Sequence, residues 1–160
     1  MSHVAADTKQ PSVERRPVAV VTGSSSGIGR GLAIQLAKQG FDVLVHAGRR
    51  IELAEATAAE VRSQGVEASV IVCDFMQVAD GFAGFVEQAF AWHGFVTCWV
   101  NNAGGDVLTQ ERRDWTFSEK LDYLWQVDTR ATLLISRLVA ERMQRFSTDG
   151  PDAKQCSVIN

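Results

Sequence analysis

The segment Pro17-Val18-Ala19-Val20-Val21-Thr22-Gly23-Ser24-Ser25-Ser26-Gly27-Ile28-Gly29 runs from a β-branched apolar stretch straight into three closely spaced glycines. The apolar part predicts a strand buried on both faces, because no polar residue interrupts it before Thr22. After the glycines, Leu32, Ala33, Leu36 and Ala37 recur at helical spacing until Gly40 stops them. Glycines at such a strand-to-helix turn let the backbone bend sharply and approach a phosphate with no Cβ in the way. The helix that follows offers free N–H groups and its positive dipole end to an anion, and Ser24, Ser25 and Ser26 add hydroxyl donors. This is the context a dinucleotide site requires, whereas the missing Lys-Ser/Thr pair after the glycines excludes a P-loop nucleotidase.

Outward from that turn the pattern repeats. A second strand is predicted over 42–46 and a helix over 51–64, its apolar positions Ile51, Ala54, Ala58 and Val61 facing one way and Gly65 closing it. A third strand is expected over 66–73. The next helix carries Phe82, Phe85, Val86, Ala89 and Phe90 as a one-sided stripe. A fourth strand, about 95–100, ends at Asn101-Asn102-Ala103-Gly104. Beyond a polar loop, a long helix over 128–146 bears Ala131, Leu134, Ile135, Leu138 and Val139, and a linker over 147–152 leads to a fifth strand at Cys156-Ser157-Val158-Ile159. Strands alternating with helices predict an α/β fold: a Rossmann-type, doubly wound parallel sheet with helices on both faces, cut at its fifth strand. Residues 1–16 are expected to be a flexible tail, and 17–160 an incomplete dinucleotide-binding domain.

With 46% hydrophobic and 22% charged residues among 160, the chain has the material for one packed core. A net charge of −3 gives no electrostatic reason to expect nucleic acid or an anionic membrane as partner. No apolar run reaches the length of about 18 residues that a membrane span needs. Cys73, Cys98 and Cys156 form no CxxC pair, which fits a reducing, cytoplasmic setting. His3, His46 and His93 are too scattered for a metal centre. Trp92, Trp99, Trp115 and Trp125 read as core or interface residues.

Thr22 to Gly29 resembles the TGxxxGIG motif of the short-chain dehydrogenase/reductase family, in its classical type. Cys73-Asp74-Phe75 resembles the family's aspartate after the third strand, and Asn101-Asn102-Ala103-Gly104 its NNAG after the fourth. The resemblance extends from Pro17 to Asn160, and the chain resembles 3-oxoacyl carrier-protein reductase-like members. It implies a cofactor site made by Gly23, Ser25, Ser26, Gly27, Ile28, Gly29, Asp74, Phe75 and Asn101 to Gly104. Asp74 would accept a hydrogen bond from the adenine amino group, and Asn101 to Gly104 would lie under the adenosine and tie neighbouring strands together, Asn101 as either a cofactor contact or a structural residue. In such folds an acid ends the second strand when the ligand is NAD, and a cation replaces it for NADP. Here the strand runs into His46-Ala47-Gly48-Arg49-Arg50, so NADP(H) is expected, with Arg49 pairing the 2′-phosphate.

The same resemblance implies hydride transfer between a nicotinamide and a small carbonyl or alcohol substrate, carried by an Asn-Ser-Tyr-Lys set. The sole tyrosine, Tyr123, is followed four residues on by Val127, so no Tyr-x-x-x-Lys is present, and Tyr123 reads as a packing residue. Val127-Asp128-Thr129-Arg130-Ala131 resembles the family's V-N-x-x-G with Asp128 at the Asn position. An ionised Asp accepts hydrogen bonds but donates none, so Asp128 serves if a backbone carbonyl does the work there or if the Asp is protonated; otherwise it is a helix-start carboxylate near Arg130. Three readings stand: part of an oxidoreductase, with these residues alone inactive; a non-catalytic dinucleotide-binding module; or a degraded open reading frame with no stable product. The helix over 128–146 is the expected contact of a homo-oligomer.

Overall fold

The computed structural model describes residues 15–78, 81–147 and 156–160. Most of the expected tail and linker therefore lie outside the described residues. Arg16 is described, and its guanidinium pairs with the Asp42 carboxylate at 3.6 Å.

Five parallel strands form one sheet: β1 Val18–Val21, β2 Asp42–Ala47, β3 Ala68–Val72, β4 Cys98–Val100 and β5 Ser157–Ile159, in the order β3-β2-β1-β4-β5. All ten residues of β1 and β2 are buried, as near-continuous apolar runs in the middle of a parallel sheet must be. Side chains alternate across the sheet. Val43, Val45 and Ala47 face α1 (Gly27–Lys38) and α2 (Ile51–Arg62), which approach through the small residues Ala33, Ala37, Ala54 and Ala58. Val20, Leu44, Ile71 and Trp99 face the other layer, α3 (Ala83–Ala91) and α5 (Ala131–Ser147), where Phe85, Phe90, Ile135 and Val139 supply bulk. A short helix, α4 (Phe117–Leu124), and a π-helical turn (Trp125–Arg130) lead into α5. The chain leaves β1 toward β2 on one side and returns beside β1 with β4 on the other. That reversal opens a crevice at the carboxyl ends of the strands.

Several boundaries differ from expectation. β3 is shorter than 66–73 because it pairs only with β2, and the ladder ends where Val72 meets Ala47. Only 98–100 of the expected fourth strand pair as strand, although Phe95, Val96 and Thr97 are buried. The second helix ends at Arg62, not Gln64, and Ile51 faces solvent at 48% exposure. Phe82 lies outside α3, capping it in the left-handed region at φ 74° while its ring is fully buried. The helix expected over 128–146 is a π-helical turn followed by α5.

Candidate cofactor site

A cleft of about 670 Å³ opens at the carboxyl ends of β1, β2 and β3 and the segment after β4. Gly23, Ser25, Ser26, Ile28, Gly29, Arg49, Asp74, Phe75, Asn102, Ala103 and Gly104 all line it. Gly27, Asn101 and Asp128 do not appear in that lining.

The glycine turn is closed from below. A Cβ on Gly23, which sits at φ 66°, would come 2.8 Å from the Ala103 Cα. One on Gly29 would reach 2.4 Å from the Asn102 amide nitrogen and 2.6 Å from the Gly23 carbonyl oxygen. Only residues without a Cβ hold this shape, and the shape brings backbone rather than side chain to the cleft. Ser26 stands at the N-terminus of α1 with its hydroxyl capping none of that helix's N–H groups. Ser24 differs from its sequence reading as a phosphate donor: it is fully buried, its Oγ donates to the Val21 carbonyl at 2.6 Å and accepts the His46 N–H at 3.0 Å.

Thr22 ties the turn to the NNAG segment. Its Oγ1 accepts the N–H groups of Asn102 and Ala103 at 3.0 and 2.9 Å, while the Asn102 amide donates to the Thr22 carbonyl at 2.9 Å. Asn101 faces away from the cleft. Its amide donates to Ser136 Oγ (2.9 Å) and Asn160 Oδ1 (2.7 Å), and its oxygen accepts the Trp99 indole N–H at 3.0 Å. It therefore fastens β4 to α5 and β5 rather than touching the cleft, which is the structural role of the two expected of it and not the cofactor contact.

At the β2 lip, Arg49 and Arg50 are both exposed. The Arg49 Nε lies 3.3 Å from Asp74 Oδ2, and Asp74 Oδ1 accepts the Met76 N–H at 3.0 Å. Arg50 makes no ion pair among the described residues. The Phe75 ring packs inward, stacked on His46 with centroids 4.8 Å apart and edge-on to Phe82.

Sequence reasoning missed three features. His46 stands within the cleft wall, its Nδ1 accepting the Gly23 N–H and its Nε2 donating to the Cys73 carbonyl, each at 2.9 Å. Burial lowers its pKa from 6.5 to about 4, against smaller opposing effects of the Cys73 carbonyl and the Asp74 charge. Its position just before the loop in an apolar strand was the available signal. Tyr123, expected to pack within its helix, instead reaches the cleft, where the Arg112 guanidinium lies 4.6 Å over its ring and Trp115 meets it edge-on. Thr116-Phe117-Ser118-Glu119 forms a capping box on α4, with the Glu119 N–H donating to Thr116 Oγ1 at 3.3 Å and the Thr116 N–H to Glu119 Oε2 at 2.7 Å. Its T-x-x-E spacing was legible. Asp128 Oδ1 accepts the Gly105 N–H at 2.6 Å and so holds the loop after β4.

The family model for short chain dehydrogenases matches residues 17–160. Over 117 residues the chain is 40% identical to the 3-oxoacyl-(acyl-carrier-protein) reductase FabG of Aggregatibacter actinomycetemcomitans, a match covering 68% of this chain and 47% of that protein. The chain spans about half the length of the curated relatives it matches. Among solved structures it is similar to acetoin dehydrogenase from Enterobacter cloacae, with a TM-score of 0.72 and 32% identity over 85% of this chain and 55% of that one. A metagenomic short-chain oxidoreductase in complex with NADP matches with a TM-score of 0.74 and 31% identity, over 90% of this chain and 61% of that one. The parallel five-stranded sheet with its helices agrees with these matches, and the chain belongs to the short-chain dehydrogenase family.

Proposed function

We propose that residues 17–160 form the NADP(H)-binding part of an oxidoreductase that interconverts a small carbonyl compound and its alcohol. The observation that carries the cofactor choice is the lip of β2, where Gly48 is followed by exposed Arg49 and Arg50 and no carboxylate ends the strand. A carboxylate there would repel a 2′-phosphate, and a guanidinium pairs with it bidentately. Among the described residues, Asp74 is the acid paired with Arg49. On this reading Arg49 turns from Asp74 to the phosphate, and Asp74 is released to accept from the adenine amino group.

The cradle fits a pyrophosphate, because a Cβ at Gly23 or Gly29 would collide with backbone. Gly23 to Gly29 would hold the pyrophosphate on backbone N–H groups and the α1 N-terminus, with Ser25 and Ser26 as hydroxyl donors. Asn102 to Gly104 would form the floor under the adenosine. The dinucleotide, when bound, supplies the hydride. Asp128 keeps the loop after β4 in place through Gly105, and no Tyr-x-x-x-Lys pair occurs within the 160 residues. Binding without turnover is therefore expected of this chain by itself.

Titration of NADPH and NADH into the chain tests the first reading. NADPH is expected to bind the more tightly, and Arg49→Ala to weaken NADPH alone by about tenfold, the worth of a charge-assisted hydrogen bond. Equal affinity for the two dinucleotides would overturn the NADP(H) assignment. Consumption of NADPH with a panel of small carbonyl compounds would overturn the expectation of no turnover. We further propose a homo-oligomer through α5 and a reducing, cytoplasmic setting, the latter supported by a sequence whose cysteines form no CxxC pair.

A further inference from the structure

We infer that His46 is the positioning residue of the phosphate-binding loop: held as the neutral Nε2–H tautomer, it fixes the Gly23 N–H and joins that loop to the segment 73–75. The inference rests on the NADP(H) reading for its functional consequence and on geometry for its structural part.

The β1–β2 ladder ends with Val21 opposite Val45. Residues 22–24 have already turned away from that ladder, so the loop needs another partner at β2. His46 provides three contacts. Its Nδ1 accepts the Gly23 N–H at 2.9 Å, its carbonyl accepts the Ser24 N–H at 3.0 Å, and its N–H donates to Ser24 Oγ at 3.0 Å. On the far side of the ring, Nε2 reaches the Cys73 carbonyl at 2.9 Å, and the ring stacks on Phe75. One imidazole thus spans the carboxyl ends of β1, β2 and β3, joining the loop that faces the pyrophosphate to the segment carrying Asp74.

The partners fix the tautomer. A backbone N–H only donates, so Nδ1 must present its lone pair. A carbonyl only accepts, so Nε2 must carry the hydrogen. An imidazolium would turn Nδ1–H against the Gly23 N–H, donor facing donor. The ring is 2% exposed, which opposes charging, while the Asp74 carboxylate, itself paired with Arg49, is the charged group that favours it. Both ring nitrogens, one acceptor and one donor, are given to backbone of two cofactor-facing segments.

Three variants separate positioning from packing. His46→Leu keeps apolar bulk against Phe75 and removes both ring bonds. His46→Asn places an acceptor oxygen near the Nδ1 position. His46→Gln extends toward Cys73 and leaves Gly23 unpaired. With circular dichroism used to choose a temperature at which each is folded, NADPH titration is expected to show Leu and Gln weakened about tenfold and Asn within about threefold of the parent. Parent-like affinity in Leu, or equal weakening of Asn and Gln, would overturn the inference, since the ring would then matter only as filler. Should Leu fail to fold, the difference between Asn and Gln carries the test. A parent chain that binds no dinucleotide sinks the NADP(H) reading instead. Amide exchange at Gly23, followed by NMR without cofactor, then decides the clamp: fast in Gln and slow in Asn supports it, and equal rates overturn it.

Discussion

Gly29 and Asp128 show how single atoms set the cleft. At Gly29 an added Cβ meets not only the movable end of Asn102 but also the Gly23 carbonyl and the Ser24 Cα, at 2.6 and 2.9 Å. Backbone cannot yield as a side chain does, so Gly29→Ala should displace the loop, lower stability by about 1–3 kcal/mol and abolish NADPH binding. Urea unfolding and cofactor titration check both; parent-like binding would refute the cradle. Asp128 offers a milder case. Its Oδ1 accepts the Gly105 N–H, so Asp128→Ala should cost about 1 kcal/mol, whereas Asp128→Asn keeps an acceptor oxygen and should stay within about 0.5 kcal/mol. Equal losses in the two would mean the charge, not the acceptor, matters.

Helix α4 owes its start to a few side chains, because it buries no residue of its own. Thr116 and Glu119 satisfy each other's backbone N–H groups, and Thr116→Ala should remove about 1 kcal/mol and reduce helical ellipticity on warming. The π-helical turn that follows inserts one residue into the helical repeat. Trp125 faces solvent at 58% exposure while Val127 is buried. Helices α1 and α2 behave oppositely, lying close against β2 because Ala33, Ala37, Ala54 and Ala58 leave no room for bulk. Ala58→Leu should therefore destabilise by about 1–3 kcal/mol by overpacking; a rise in the urea midpoint would show unused space in that layer.

Across the whole molecule, two features have solution consequences. His46 titrates lower folded than unfolded, so the folded chain binds fewer protons between pH 6.5 and about 4. Its contribution is complete above pH 6.5 and declines as pH falls to about 4, with a slope of up to about 1.4 kcal/mol per pH unit. Urea midpoints from pH 7 to 4 should fall more steeply for the parent than for His46→Asn; parallel curves would contradict this. Phe117, Leu121 and Trp125 form an exposed stripe at helical spacing, with Leu133 exposed on α5. The oligomer proposed through α5 should use Leu133, and sedimentation should show Leu133→Glu shifting the chain to monomer. A monomeric parent would remove the proposal.

The sequence by itself determined the alternation of strands and helices, the parallel sheet, the glycine turn and the family, because each rests on local periodicity or contiguous motifs such as Thr22 to Gly29. It also marked Arg49 as the cation at the β2 lip. Only the tertiary structure decided that Arg49 rests on Asp74, that Asn101 turns to α5 and β5, that Tyr123 reaches the cleft and that His46 clamps the loop. The bonds of His46, and those of Asn101 to α5 and β5, join residues 22 to 59 positions apart, and the others sit at an edge where neighbouring strands end. A side chain's direction there depends on packing partners far along the chain, and periodicity carries no record of them.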